Sequence, residues 1–505
     1  MATIKVYPSQ VKNSIDRRIL GHFVEHFPGN IPDGIFQPYS HLSDEDGFRR
    51  DVLEAMREVG VTQIRWGGNF SSHYHWMDGV GPKDLRPKKL SFAWDVVEDN
   101  QFGTVEFIKM CRKAGAEPVI GVNMGSGTAE EAMNWVEYVN GTTDSYYANL
   151  RRSHGYEEPF GVKHWCLGNE MYGTWQFGYL SAEDYAEKAV HFALAMRRVD
   201  PSIELTALGL ETDPYWNIEV ARRLGVEKTN VMPGDYIKYI SIHYYSIGSE
   251  GAFTNSTFEQ RLAISQFHHE RTRMLRNAIE VATDDPGNHI KIAWDEWNVM
   301  GQPDGTEFTL EHSLWSSSVL NSFIRDSEYV VIANYTFFVN CMGPIQTTEN
   351  GIVKHAEYYV FRLYGLHMGD QLLHCSVSGE ESVDVDMPID TKWQQRQLVK
   401  KNTTLKRRIS YLDIAATRCS KTGDITVFIT NKHPDKDYSL DLRLMECDNL
   451  NKKKRIHTIY NPDIRARNSA LEPDNIGIVT SDLPDKENIV QIKAHSINAI
   501  TFNDK

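Results

Sequence analysis

Two segments far apart in the chain carry residues that could do acid–base chemistry together: Trp165-Cys166-Leu167-Gly168-Asn169-Glu170 and Ile292-Ala293-Trp294-Asp295-Glu296-Trp297. Each is an apolar run of strand character that leads to a glutamate. Two carboxyls facing one cavity are the minimum equipment for breaking a glycosidic bond. One must keep a proton for the leaving oxygen while the other stays ionised. A gap of about 5–5.5 Å between them gives a covalent intermediate and retained configuration, whereas about 6.5–9.5 Å admits a water and gives inversion. A single Asn-Glu after a strand more often only opens a helix, where its charge complements the dipole. It is the pairing of two such strand ends that points to catalysis.

Other segments offer partners for that pair. Ile64-Arg65-Trp66-Gly67-Gly68-Asn69-Phe70 closes a strand with two glycines that permit a sharp turn, and Arg65 could hold a carboxylate ionised. A purely structural ion pair is the bland alternative for Arg65. Ser241-Ile242-His243-Tyr244-Tyr245 brings a tyrosine hydroxyl to another strand end, where it could reach the nucleophile or simply sit satisfied in the core. Trp76, Trp94, Trp175 and Trp297 fall in or near loops after strands, placed either to stack on sugar faces or to pack. His22-Phe23-Val24-Glu25-His26 matches the H-x-x-E-H pattern of inverted zinc peptidases. That pattern needs a helix to bring both histidines to one face, and here Pro28-Gly29-Asn30 bounds a short strand. A zinc hydrolase using His22 and His26 is therefore the lesser reading, and no metal or cofactor is expected.

Strand-like runs occur at 19–27, 62–66, 117–122, 162–168, 204–208, 236–245, 290–294 and 329–338. Their continuous apolar character suits strands covered on both faces. Helical spacing separates them, as in Phe48, Val52, Met56 and Val59, in Tyr185, Ala189, Phe192 and Met196, and across 309–325. Ser181 followed by Asp184 reads as a capping box. Eight βα units in about 350 residues predict an α/β fold, a (β/α)8 TIM barrel, with a doubly wound open sheet as the alternative. By this count Glu170 ends the fourth strand and Glu296 the seventh, so both face one barrel mouth. Beyond Gly369 short alternating runs (378–387, 424–430, 440–444 and 497–502) predict a C-terminal β-sandwich, with Lys452-Lys453-Lys454-Arg455 as a solvated turn. The expected organisation is an N-terminal strand in 1–17 that joins the sandwich, a barrel over 18–369 and the sandwich over 370–505.

The bulk composition restricts partners. A chain of 505 residues exceeds what one core normally serves. Its net charge of −14 disfavours nucleic acid, and no apolar run approaches a membrane span. Six cysteines without a CxxC pair read as free thiols of a reducing compartment, and the N-terminus reads as a strand, not an export signal.

Taken together, the motifs resemble glycoside hydrolase family 51, whose best-known members are α-L-arabinofuranosidases. The likeness runs through Gly21 to His26, Arg65 to Phe70, Tyr74 to Pro82, Ala93-Trp94, Asp99 to Gly103, Gly168-Asn169-Glu170, His243-Tyr244-Tyr245 and Asp295 to Asn298. It implies a (β/α)8 barrel plus β-sandwich and retaining hydrolysis, with Glu170 as acid/base and Glu296 as nucleophile. It further implies that Glu25 and Asn69 hold furanose hydroxyls and Asn169 the 2-hydroxyl. Arg65 and Tyr245 would then support Glu296, and Trp94 would flank the sugar. His355 stands where many members have a substrate-contacting glutamine, and Met300 where a tryptophan is common; the usual proline after Trp66 is missing. The implied enzyme is a cytoplasmic homo-oligomer, a hexamer in many members, that trims arabinose-containing oligosaccharides. The competing expectations are the same barrel acting on another sugar (a β-xylosidase, an endo-glucanase or another furanosidase) and a non-catalytic carbohydrate-binding protein.

Overall fold

A computed structural model describes residues 1–225, 236–247, 256–283, 289–300, 307–388, 404–446, 452–484 and 488–504. Eight parallel strands close a barrel in chain order: Gly21–Val24, Gln63–Trp66, Glu117–Gly121, His164–Cys166, Glu204–Leu208, Tyr239–Ile247, Lys291–Met300 and Val330–Tyr335. The helices between them shield the outer face, which is why the strands read as unbroken apolar runs. The helix Arg50–Val59 buries Val52, Leu53, Ala55, Met56 and Val59 and ends on Gly60 in the left-handed region (φ 70°). Ala182–Val199 starts where the Ser181 hydroxyl accepts the Asp184 N–H, 3.2 Å away.

The seventh strand departs from expectation. It does not stop at Trp294 but runs on to Met300. Its pairing with the sixth strand slips, since Ala293 faces Ser241 whereas Glu296 faces His243. Three steps on one strand match two on its neighbour, so a bulge sits at 294–295.

Outside the barrel, among the described residues, three two-stranded sheets accompany one larger sheet. Nine strands lie in one sheet in which the N-terminal strand Ala2–Ser14 sits between Gln371–Ser378, antiparallel, and Tyr438–Leu444, parallel. Ile4, Val6, Leu373, Leu440, Val427 and Ile500 belong to one apolar cluster, so the sheet curls over its own core. The helix Leu310–Arg325 wedges between barrel and sheet, and every residue from Leu310 to Ile324 is buried. At its end Arg325 Nη1 reaches Asp413 at 2.6 Å.

Two local expectations fail here. The run 378–387 is not one strand, because Gly379 turns the chain in the left-handed region (φ 71°) and a second strand begins at Ser382. Lys452–Ile459 is a paired strand and not a solvated turn; Lys454 is buried with its ammonium over the Phe502 ring. Among the described residues no helix is long and apolar enough to cross a membrane.

Candidate active site

Arg65, from the second strand, organises the barrel mouth. Its fully buried guanidinium donates from Nη1 to Glu296 Oε1 (2.6 Å) and from Nη2 to Asn169 Oδ1 (2.7 Å), and its Nε lies 3.2 Å from Asp295 Oδ2. The Phe23 ring lies 5.0 Å beneath it. Burial opposes the charge on Arg65, but Asp295 and Glu296 hold its pKa well above the ordinary value. In regular alternation Asp295 and Glu296 would point to opposite sides of the strand. The bulge at 294–295 lets both reach Arg65.

Glu296 has a second donor. The Tyr245 hydroxyl donates to Glu296 Oε2 at 2.6 Å and lies 3.1 Å from Thr336 Oγ1. Burial and the Glu296 charge push the phenol pKa well above its usual range, so it stays a donor.

Glu170 faces Glu296 across the mouth from just beyond the fourth strand, with its backbone in the left-handed region (φ 43°). Trp175 Nε1 donates to Glu170 Oε2 at 2.6 Å, and His243 Nδ1 lies 2.9 Å from Glu170 Oε1. The other ring nitrogen of His243, Nε2, lies 3.0 Å from Asp295 Oδ1. Burial raises the Glu170 pKa, but the hydrogen bond and charge of His243, then Trp175, bring it below the ordinary glutamate value. Burial likewise opposes protonation of His243; Glu296, Asp295 and Glu170 overcome it and hold the imidazolium well above its usual pKa. His243 is the site residue that sequence reasoning did not single out. Its place at a strand end beside Tyr245 was the available signal.

Glu25 follows the first strand. Its Oε1 accepts from the Phe70 N–H (3.0 Å) and from Trp94 Nε1 (3.2 Å), and Trp94 stacks on Phe27. Burial first, then the nearby Glu296 charge, raises the Glu25 pKa to about 8 against those donors. Gly68 has φ +86°, and a Cβ there would lie 2.5 Å from the Glu25 carboxyl carbon, so only glycine fits. Asn69 follows it and accepts from Asn169 Nδ2 at 3.3 Å. Glu25, Arg65, Asn69, Trp94, Asn169, Glu170, Tyr245 and Glu296 thus form one connected cluster.

His355 is not part of that cluster. It caps the helix Ala356–His367, stacks on Phe308 at 4.2 Å, and burial lowers its pKa to about 4. The Met300 side chain lies outside the described residues. Trp76 and Trp297 are core residues, stacked on Trp135 and packed on Trp315 and Tyr335 respectively. The H-x-x-E-H residues diverge. His22 packs among Tyr335, Phe338 and Phe361, His26 among Trp66, Phe70 and Tyr74, and Glu25 turns to the mouth. The motif begins in a strand that ends at Val24 and continues in a loop, not a helix, so the zinc-peptidase geometry is not formed.

Glu170, His243 and Glu296 each offer a possible ligand atom within 4.8 Å of the others. Arg65 and a protonated His243 already supply positive charge to those carboxylates, a donor set suited to neutralising acids without an ion.

The sequence matches the α-L-arabinofuranosidase 1 domain over 55–261 and the α-L-arabinofuranosidase C-terminal domain over 295–496. It is 36% identical to α-L-arabinofuranosidase C of Emericella nidulans over 445 residues, covering 86% of this chain and 85% of that one. It is 33% identical to the intracellular exo-α-(1→5)-L-arabinofuranosidase of Halalkalibacterium halodurans, with 88% of each chain covered. The solved structure of a thermostable GH51 α-L-arabinofuranosidase from Thermotoga petrophila superimposes with a TM-score of 0.85 at 35% identity, over 99% of this chain and 100% of that one. Likeness of this extent, in sequence and in fold together, makes the chain a glycosidase that belongs to glycoside hydrolase family 51, the α-L-arabinofuranosidase family.

Proposed function

We propose that the enzyme is a retaining exo-α-L-arabinofuranosidase that removes terminal arabinofuranosyl units from arabino-oligosaccharides. The observation that carries this reading is the approach of the two carboxyls, which bring one oxygen each to within 4.8 Å. So close an approach of the nearest oxygens favours the shorter carboxyl separation of a double displacement over the wider gap that admits an attacking water. Glu296, fixed by Arg65 and Tyr245, attacks the anomeric carbon while Glu170 protonates the leaving oxygen. Glu170 then takes a proton from the water that releases the sugar. Glu25 and Asn69 hold furanose hydroxyls, Asn169 the 2-hydroxyl, and Trp94 closes one wall. The exo mode and the arabinan-type substrate rest on the relative described as exo-α-(1→5)-acting. The same reading takes 18–369 as the catalytic unit, with 1–17 and 370–505 forming the supporting sheet, in a cytoplasmic homo-oligomer.

Two variants test the assignment. Glu296→Ala should abolish turnover of every glycoside. Glu170→Ala should keep the first step on aryl arabinofuranosides with good leaving groups, and azide should accelerate release by forming an arabinosyl azide. Unchanged activity in either variant overturns it. A panel of chromogenic glycosides, with product configuration followed by NMR, separates arabinose from the other sugars.

A further inference from the structure

His243 lies between two carboxylates that sequence alone does not connect. It is almost wholly enclosed, with a side chain 4% exposed, and both its ring nitrogens face acids. Nδ1 is 2.9 Å from Glu170 Oε1 and 3.6 Å from Glu296 Oε2; Nε2 is 3.0 Å from Asp295 Oδ1. The charged and titratable groups around it are Glu170 from the fourth-strand loop, Asp295 and Glu296 from the seventh strand, and Arg65 from the second. Tyr245 on its own strand and Tyr172 on the fourth-strand loop face the same carboxylates, Tyr245 through Glu296 and Glu170 and Tyr172 through Glu170, Glu296 and Asp295. Three carboxylates against one guanidinium leave an excess of negative charge that one further proton relieves.

The acid must carry a proton when the glycoside arrives, yet the resting geometry favours the ionised form of Glu170. We propose that His243 is a positioning residue that stores the acid's proton: an imidazolium bridging Glu170 and Asp295 in the free enzyme, it passes the Nδ1 proton to Glu170 as the substrate binds. The step breaks one N–H bond and forms one O–H bond, and the total charge of the cluster does not change. The imidazole left behind keeps its proton on Nε2, beside the Asp295 charge 3.0 Å away, and offers the Nδ1 lone pair to Glu170. After Glu170 has given its proton to the leaving oxygen and taken one from water, the proton returns to His243. The Glu170–His243 pair titrates as a unit, so the alkaline limb of activity belongs to the pair.

This inference rests on the reading of Glu170 as acid/base. The experiment measures pH profiles of kcat/KM for wild type, His243→Asn and Glu170→Ala on an arabino-oligosaccharide and on an activated aryl arabinofuranoside. With His243 gone the proton resides on a lone carboxyl, so the alkaline limb on the oligosaccharide should move down by at least about one pH unit. Activity at neutral pH on that substrate should fall by about 10²-fold, and far less on the aryl glycoside. A uniform loss on both substrates with an unmoved limb overturns the proposal. So does 15N NMR of the free wild-type enzyme at pH 7 showing a neutral His243 ring, a readout that does not depend on the variant folding. If Glu170→Ala itself spares the oligosaccharide, the acid/base reading fails instead, and the two failures remain distinct.

Discussion

Two buried pairs of histidine and glutamate in this molecule behave in opposite ways. At the mouth, His243 meets Glu170 with Asp295, Glu296 and Arg65 close by, and the charged forms win. Behind the barrel, His312 Nδ1 lies 3.0 Å from Glu357 Oε1, between the helices Leu310–Arg325 and Ala356–His367. Among the described residues no guanidinium or second carboxylate contributes to the charge of either group. Burial raises Glu357 to about 8 and lowers His312 to about 3, so both are neutral at pH 7. Distance within the pair is alike, at 2.9 and 3.0 Å. What differs is the number of surrounding counter-charges. Desolvation disfavours ionisation in both places, and only a network of opposite charges overcomes it. A polar pair in a core is thus evidence of packing, whereas a charged network kept in a cavity marks the place where chemistry is done.

The comparison breaks most severely at Arg65. Arg65→Met leaves Asp295 and Glu296 buried without their cation, at a cost of about 3–5 kcal/mol of stability. Chemical denaturation should show that loss, and turnover should vanish with it. An activity close to wild type would mean that the mouth, like the rear pair, is neutral.

A smaller effect is expected from Tyr245→Phe. The variant keeps the ring and removes one donor to a charged acceptor, worth about 1.5–3 kcal/mol. We expect kcat/KM to drop about 10–100-fold, with a smaller loss of stability than at Arg65. An equal loss of stability would reassign Tyr245 from the site to the core.

The smallest effect sharpens the contrast through pH. Glu357 titrates near 8 when folded and near its ordinary 4.5 when unfolded. Between those values the unfolded chain has released the proton and the folded chain has not, so stability falls as pH rises across that window. His312 acts in the opposite sense between about 3 and its ordinary 6.5, which makes the fall clearest from 6.5 to 8; Glu25 adds to it. Glu170 and Asp295, depressed in the fold, contribute the reverse: stability present above their ordinary values and lost as the solution is acidified. Glu357→Gln should cost no more than about 1 kcal/mol at pH 7, and it should flatten part of the decline from 6.5 to 8 in urea titrations. An unaltered slope would show that Glu357 is ionised in the core.

Much of the architecture was legible because barrel strands and their helices carry their own signals. Each of the eight barrel strands begins in a segment whose apolar run marked it, the sixth and seventh running on beyond theirs, and Ser181 caps its helix as its spacing with Asp184 implied. Local pattern failed where long-range pairing or backbone geometry took over. The seventh strand continues past Trp294 because the sixth strand offers it partners up to Ile247. Lys452–Arg455 has the composition of a turn, yet the neighbouring strands Ser496–Asp504 and Ile478–Leu483 hold it extended. The H-x-x-E-H match failed for a related reason, since its meaning depends on a helical period that this strand does not have.

The amino-acid sequence by itself determined the family, the parallel barrel and the two glutamates at strand ends, because strand period, strand length and motif order are local properties of the chain. Only the tertiary structure decided which acids share a cavity and what charge they carry. A bulge at 294–295 turned two consecutive carboxylates toward Arg65, and closure of the barrel brought His243 between Glu170 and Asp295. Protonation is set by the balance of desolvation against every neighbouring charge, and that balance exists only once distant segments meet.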